Sequence, residues 1–450
     1  MKYAEISPVF KKDDALDKKN YRPVSILPCM SKIFEKVINM QICSYFYESV
    51  AENVSAFRNR YSTQAMLIKA VEDWKSALDD NKYVGAILTD LSKAFDVVPH
   101  GLLLAKLNAY GFNQNDVMLI KSYLSNRSFR TKIQNTRSNW CEMTKGVPQG
   151  SILGPTLFNI FLNDIFYFTE EYVMYNYADD TTISYCAENS YDLSSNLEMC
   201  ANIVTDWFEE NGMKPNPDKY QAIVFGNKLD APSSFNVKGN VMKCVHSVKL
   251  LGIYIDSNLS FDEHIKSICT KASRQINVIM RMSNILDTTV KETMYKTFIK
   301  STFNYCPVVW MMCSKANLRK LEKLQCRALR FVYSDYISSY EDLLVRSKQL
   351  SLSVQLMYNL AIEVYKCING LAPTYLCSLF DLQDHQYNCR GFKTLKQKKF
   401  KTIKYGYQSF SYMGSKLWNA LPNEMRGSAD IHMFKNVVRD FNFCDMHRLV

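Results

Sequence analysis

Tyr177-Ala178-Asp179-Asp180 lies between two strand-forming runs, residues 172–177 and 181–185. β-Branched and aromatic residues on both sides of a short polar break predict a hairpin whose tip carries two adjacent carboxylates. A third acid, Asp90, closes another apolar run, residues 83–89. An apolar strand ending in Asp, beside a hairpin tipped by Asp-Asp, collects oxygen ligands for divalent ions at one edge of a sheet. Such hard ligands suit magnesium. Two ions roughly 3.5–4 Å apart can hold the attacking and leaving oxygens of an in-line phosphoryl displacement. The four letters alone also fit a surface hairpin, since Asp is a common turn residue.

With 450 residues, 47% apolar and 22% charged, the chain has an ordinary globular profile. Its length allows roughly two or three domains. No run of about eighteen apolar residues suggests a membrane span, and the nearest, residues 160–168, is broken by Asn163 and Asp164. The first residues lack the apolar core of a signal peptide. Fourteen cysteines are scattered without C-x-x-C pairs or Cys/His ligand spacing, which argues for reduced thiols and against a zinc module. These features predict an intracellular protein, in nucleus, cytoplasm or both, not secreted and without a membrane partner.

The net charge of +11 is a weak pointer to a polyanionic partner; its distribution says more. Lys121, Arg127, Arg130, Lys132, Arg137 and Lys145 face one acid, Glu142, and interleave with Tyr123, Phe129 and Trp140. Residues 393–404 hold six lysines and no acid. Both stretches fit nucleic-acid backbone contact; both also fit solvated segments, and the second an import signal.

Residues 1 to 230 alternate short strands with amphipathic helices, an α+β pattern. Residues 32–46 carry apolar side chains at 33, 34, 37, 38, 42 and 46, the spacing of a helix. Ser62 or Thr63 reads as the cap of another helix, and Asn211-Gly212 as the stop of a third. Residues 245–256 read as a strand pair, and 261–336 as helical.

The chemistry-bearing residues follow in order. Asp90 and the backbone carbonyl of Leu91 offer metal ligands. Phe95 either packs in the core or stands under a nucleotide sugar and excludes a 2′-hydroxyl, whose unpaired burial costs roughly 1–3 kcal/mol. Asp96 reads as a helix cap or structural acid. Gly146-Val-Pro-Gln149-Gly-Ser151 opens a helix whose N-terminus favours phosphate, and Gln149 is placed to hydrogen-bond a nucleotide or a template base. Lys219 follows a Pro-rich turn and either neutralises a departing pyrophosphate or is simply solvated. Around Gly252 a strand and tight turn offer a grip for a primer end.

This ordered set, together with Tyr21-Arg-Pro-Val-Ser-Ile-Leu27, Phe57-Arg-Asn-Arg-Tyr-Ser-Thr63, Pro217-Asp-Lys219 and Leu251-Gly-Ile253, resembles the reverse transcriptases of non-LTR (LINE-class, jockey-like) retrotransposons. The resemblance is close over about residues 5–256 and looser beyond. It implies a right-hand polymerase: fingers and palm in 1–256, built of antiparallel sheet and packed helices, a helical thumb in 257–336, and a mainly helical, basic C-terminal region in 337–450 that contacts RNA. It implies RNA-directed DNA synthesis from a primer 3′-hydroxyl, with two magnesium ions (manganese able to substitute), and an RNA template, DNA primer and dNTPs as partners. By position, Asp90, Asp179 and Asp180 match the metal-binding triad, Phe95 the steric gate, and Gln149 the nucleotide-pocket glutamine. Lys219 matches the lysine beside the leaving pyrophosphate, and Arg22 together with Lys11 or Lys12 matches the triphosphate-holding residues. Arg127, Arg130, Lys132 and Gly252 are the primer and template candidates. Members of this class carry an endonuclease ahead of the polymerase, whereas Met1 falls just before the first polymerase motif. The expectation is a truncated reading frame, with an inactive RNA-binding relic as the alternative.

Overall fold

The protein is described by a computed structural model covering residues 2–11, 13–282, 285–383, 394–441 and 443. Its strands are β1 (Tyr3–Phe10), β2 (Tyr21–Ile26), β3 (Tyr83–Leu88), β4 (Arg127–Ile133), β5 (Thr136–Arg137), β6 (Cys141–Met143), β7 (Val173–Tyr177), β8 (Asp180–Ala187) and β9 (Gln221–Phe225), then β10 (Ser234–Val237), β11 (Asn240–Lys243), β12 (Ser247–Leu250) and β13 (Ile253–Asp256). The helices that frame the site are α1 (Cys29–Phe46), α2 (Thr63–Asp79), α3 (Ala94–Val97), α4 (His100–Ala109), α5 (Gln114–Leu124), α6 (Leu153–Leu162) and α7 (Ser190–Glu210). Beyond the strands come α8 (Asp262–Arg281), α9 (Lys315–Tyr333), α10 (Leu352–Ile368) and α11 (Phe410–Ala420).

Two sheets organise the first part of the chain. One runs β2-β1-β4-β5, with β6 on β4; β1 pairs antiparallel with β2 and parallel with β4. The other runs β7-β8-β3-β9, antiparallel throughout. Period-two alternation buries both faces of this second sheet. Val84, Ala86, Tyr175, Ile223 and Phe225 join one core with α2. Ile87, Met174, Ile183, Ala222 and Val224 join the other with α6 and α7. On the first face Trp74 stacks on Phe225 at 4.4 Å and donates to the Ser184 hydroxyl at 2.8 Å. A sheet clamped on both faces is a stiff platform for residues at its edge.

Ser62 caps α2 by accepting from the Ala65 amide at 3.1 Å. Helix α1 forms where its spacing predicts, but only one stripe of it is buried: Ser31, Glu35, Ile38, Ile42 and Phe46. Ile33, Phe34 and Val37, also expected to be inward, are exposed. The helix touches its neighbours along a single face, and these three lie on the other side of the 3.6-residue period.

The C-terminal region packs on α2. Glu72 accepts from the amides of Phe410 and Ser411 at 2.7 and 3.1 Å, at the start of α11. Asp79 accepts from the amides of Lys401 and Thr402 and from the Thr402 hydroxyl. Lys401 also pairs with Asp80 at 2.6 Å. The basic run at 393–404 was expected to be an RNA contact or an import signal. Lys393 lies outside the described residues, and the stretch around Lys401 is docked on an acidic helix face. The described cysteines carry free thiols, and among the described residues no helix is long and apolar enough to cross a membrane.

Candidate active site

Strand pairing brings the end of β3 next to the Asp179-Asp180 turn. The β3–β8 register sets Leu88 against Thr182, and the ladder continues past the strand end, where the Thr89 amide donates to the Thr181 carbonyl at 2.9 Å. The next step places Asp90 beside Asp180. In the β7–β8 hairpin Tyr177 faces Asp180, so that Ala178 and Asp179 alone form the turn. Ala178 is buried with φ at 58°, a left-handed conformation that costs an alanine about 1–2 kcal/mol. Asn176 holds it there: its amide donates to the Ala178 carbonyl and to the Thr181 hydroxyl, both at 2.9 Å. Residues 53–55 brace β7 from outside, the Ser55 amide donating to the Asn176 carbonyl at 3.0 Å.

This crowding has an electrostatic result. The Asp180 carboxyl is pushed up to about 6, by lost hydration at the cleft floor, then by the charges of Asp179 and Asp90; Lys11 and Arg22 oppose the rise. Asp180 keeps an open surface, so its enclosure is partial and repulsion from its two neighbours is the firmer cause. Asp90 has a cation of its own: the Lys219 ammonium lies 3.8 Å from its Oδ2, both side chains solvent-facing. Backbone bonds fix that approach. The Ser92 amide donates to the Lys214 carbonyl at 2.9 Å and the Asn216 amide to the Asp90 carbonyl at 3.0 Å. Between them Leu91 sits opposite Pro215 in the non-hydrogen-bonded position of an antiparallel pair, which turns the Leu91 carbonyl away from residues 214–216. A cavity of about 660 Å³ opens here, lined by Asp90, Lys219, Gln221, Asn240 and Lys243 among others.

The Gly146–Ser151 loop is tied to the protein's own groups. The start of α6 was read as a phosphate cradle, yet it already has an anion. Glu35, fully buried on α1, accepts from the Ile152 amide at 2.7 Å and the Leu153 amide at 3.4 Å. The Ser151 hydroxyl accepts from the Gly154 amide at 2.9 Å. Gly150 admits its own chain, not a ligand: at φ 104° a Cβ there would stand 2.7 Å from the Ser25 carbonyl oxygen. Gln149 donates from Nε2 to Asp96 Oδ1 at 2.8 Å, so Asp96, inside α3, is a structural acid and not a cap. Phe95 is half-buried, stacked on Phe158 at 4.2 Å and edge-on to Phe57 at 6.3 Å.

The cationic candidates divide. Lys11 and Arg22 are exposed, on the two arms of the β1–β2 hairpin, and their charges reach Asp180. Lys12 lies outside the described residues. Arg127 is not a surface contact: it is 4% exposed, donates to the Tyr123 carbonyl at 3.0 Å and covers the Tyr123 ring. Arg130 is committed to Glu5 at 2.5 Å, which Arg137 shares at 2.9 Å, and it lies over Trp140. A carboxylate on β1 thus engages two of the six cations of a stretch that reads as basic. Lys132 remains half-exposed on β4. Gly252 turns the β12–β13 hairpin under Tyr305, whose hydroxyl donates to the Leu251 carbonyl at 2.6 Å.

Residues 9–255 match the family described as reverse transcriptase (RNA-dependent DNA polymerase). The chain belongs to the reverse transcriptase family. Similar proteins include the RNA-directed DNA polymerase from mobile element jockey of Drosophila melanogaster, 28% identical over 70% of this chain and 36% of its own length. The probable RNA-directed DNA polymerase from transposon BS of the same fly is 26% identical over the same shares. The chain therefore spans about a third of the length of these relatives. Apo telomerase from Candida tropicalis overlaps 84% of this chain and 69% of its own at 11% identity and a TM-score of 0.45, a loose likeness on which nothing rests.

Reverse transcriptases use divalent metal ions. The donor types fit that requirement, since Asp90, Asp179 and Asp180 offer hard carboxylate oxygens; the upward push on Asp180 has lost hydration as its first cause and the charges of Asp179 and Asp90 as its second. Among the described residues, no three His, Cys, Asp or Glu side chains are drawn around one point; Asp90 leans instead towards Lys219.

Proposed function

We propose that this reverse transcriptase chain is an RNA-directed DNA polymerase of the non-LTR retrotransposon type, extending a primer 3′-hydroxyl with dNTPs on an RNA template. One observation carries the reading: the β3–β8 ladder ends next to the Asp179-Asp180 turn, and the charges of Asp179 and Asp90, after lost hydration, push the Asp180 carboxyl up. Residues 1–256 make up fingers and palm, 257–336 a helical thumb, and 337–450 a C-terminal region whose residues 401–411 are braced on α2.

Asp90, Asp179 and Asp180 would hold two magnesium ions, with the Leu91 carbonyl as a further ligand. When bound, such ions polarise the α-phosphate and lower the pKa of the attacking hydroxyl. The chain's own groups do the rest. Lys11 and Arg22 draw the triphosphate towards the acids, Phe95 bounds the sugar, Gln149 meets the nucleotide, and Lys219 offsets charge on the departing pyrophosphate. The test is primer extension on an RNA template with dNTPs and magnesium. Wild type is expected to extend the primer, and an Asp179→Asn/Asp180→Asn protein to fall by at least about 10³-fold, as loss of both hairpin ligands should remove most transition-state charge stabilisation. Equal extension by the two would overturn the reading.

A further inference from the structure

We propose that Asp96 is a positioning residue that sets which end of the Gln149 amide meets the incoming nucleotide; the inference deepens the polymerase reading and rests on it. The loops carrying the two residues are locked together. The Val147 amide donates to the Phe95 carbonyl at 2.8 Å, and the Gly146 amide to the Val98 carbonyl at 2.8 Å. On the far side, the Ser25 amide donates to the Gln149 carbonyl at 2.8 Å, fixing the backbone of residue 149 to β2. What stays free is rotation of the Gln149 side chain, and the Asp96 contact at 2.8 Å stops it.

An ionised carboxylate only accepts hydrogen bonds, whereas an amide has an accepting end and a donating end. Facing Asp96 with Oε1 would set two acceptors against each other, so Nε2 must face it and Oε1 must point away. Asp96 thereby selects one of two nearly isosteric amide orientations and presents an acceptor to a donor group of the nucleotide. Both residues line the same cavity of about 900 Å³ beneath β1, β2 and β4, with Lys93, Tyr21 and Ser25. The free energy of ordering that side chain is then spent on folding instead of at nucleotide binding.

Steady-state primer extension over a range of dNTP concentrations tests this. Asp96→Ala should raise the dNTP KM about 5–10-fold, the worth of one oriented hydrogen bond, with a smaller change in kcat. Asp96→Asn keeps a bond but not its polarity, because Asn can also donate, so a rise of about 2–3-fold is expected. Asp96→Ala/Gln149→Ala should match Gln149→Ala alone within about twofold, because Asp96 acts only through Gln149. Losses that multiply in the double variant, or a KM unmoved in Asp96→Ala, would overturn the proposal. Should Asp96→Ala fail to fold, the ordering of wild type and Asp96→Asn decides. If wild type does not extend a primer, the polymerase reading fails separately. The dissociation constant of dNTP on a dideoxy-terminated primer, which needs no chemistry, then settles Asp96 by the same comparisons.

Discussion

Removing the Glu35 carboxylate would leave the half-buried Ile152 amide and the buried Leu153 amide without their acceptor. Unmade buried hydrogen bonds to a charged group are expensive, so Glu35→Ala should cost about 2–4 kcal/mol of unfolding free energy, and Glu35→Gln, which keeps one accepting oxygen, less than half of that. Urea titration measures both; a loss below about 1 kcal/mol for Glu35→Ala would show that the α6 terminus has another partner. Phe95 makes a second prediction. Its ring is held by Phe158 and Phe57, so Phe95→Val should open room for a 2′-hydroxyl and raise NTP use relative to dNTP by about 10–100-fold. An unchanged ratio in primer extension would assign Phe95 to packing alone. The placement of Asp90 just past a strand end and of Asp179 and Asp180 at a hairpin turn was legible in the sequence, because strand-forming runs flank them. Glu35 was not, since a glutamate in an amphipathic helix looks like solvated surface. Arg127 and Arg130 misled for the converse reason: nothing near Arg130 in sequence points to Glu5, 125 residues away.

Helix α2 links the second sheet to the C-terminal region, and its charges are committed at both ends of that link. Asp73 accepts from the Tyr175 hydroxyl on β7 at 2.8 Å, while Glu72 and Asp79 hold residues 401–411. Lys75, buried between them, donates to the Gln408 carbonyl at 2.6 Å. Burial lowers its ammonium to about 8, with Glu72 opposing and Lys404 adding to the shift. The sign of the pH effect follows. Between about 8 and 10.5 the unfolded chain binds the proton and the folded chain does not, so stability from this group rises with pH through that window. Relative to Lys75→Met, wild type should gain about 2–3 kcal/mol between pH 7.5 and pH 10.5, read by urea titration at both ends. Parallel behaviour of the two proteins would mean that Lys75 keeps its ordinary affinity. The helix itself was legible from its cap and spacing. Its partner was not, because a lysine-rich run looks solvated until the fold brings an acidic helix face to Lys401 and Thr402.

At the scale of the whole molecule, one group of exposed cations lies on two packed helices beyond the β12–β13 hairpin. Lys266, Lys271 and Arg274 are exposed on α8, and Lys320, Lys323 and Arg327 on α9. Arg327 reaches across to Asn277 at 2.9 Å, which ties the two faces into one. A cavity of about 590 Å³ along α8, lined by Tyr254, Lys266, Thr270, Lys271 and Arg274, continues that face towards the hairpin. If the proposed thumb holds primer–template through these cations, binding releases counterions, and each phosphate contact adds about 0.9 to the fall of log K with log salt. Lys271→Gln/Arg274→Gln should then flatten the slope by about 2 and weaken duplex binding about 50-fold at 0.1 M salt, the difference fading towards 1 M. Lys401→Gln serves as the contrast, because its charge is already matched by Asp80, and its salt slope should stay at the wild-type value. Filter binding of an RNA–DNA duplex at four or five salt concentrations reads both slopes. A flattened slope for Lys401→Gln with none for the α8 pair would move the nucleic-acid track from the two-helix face to the C-terminal region.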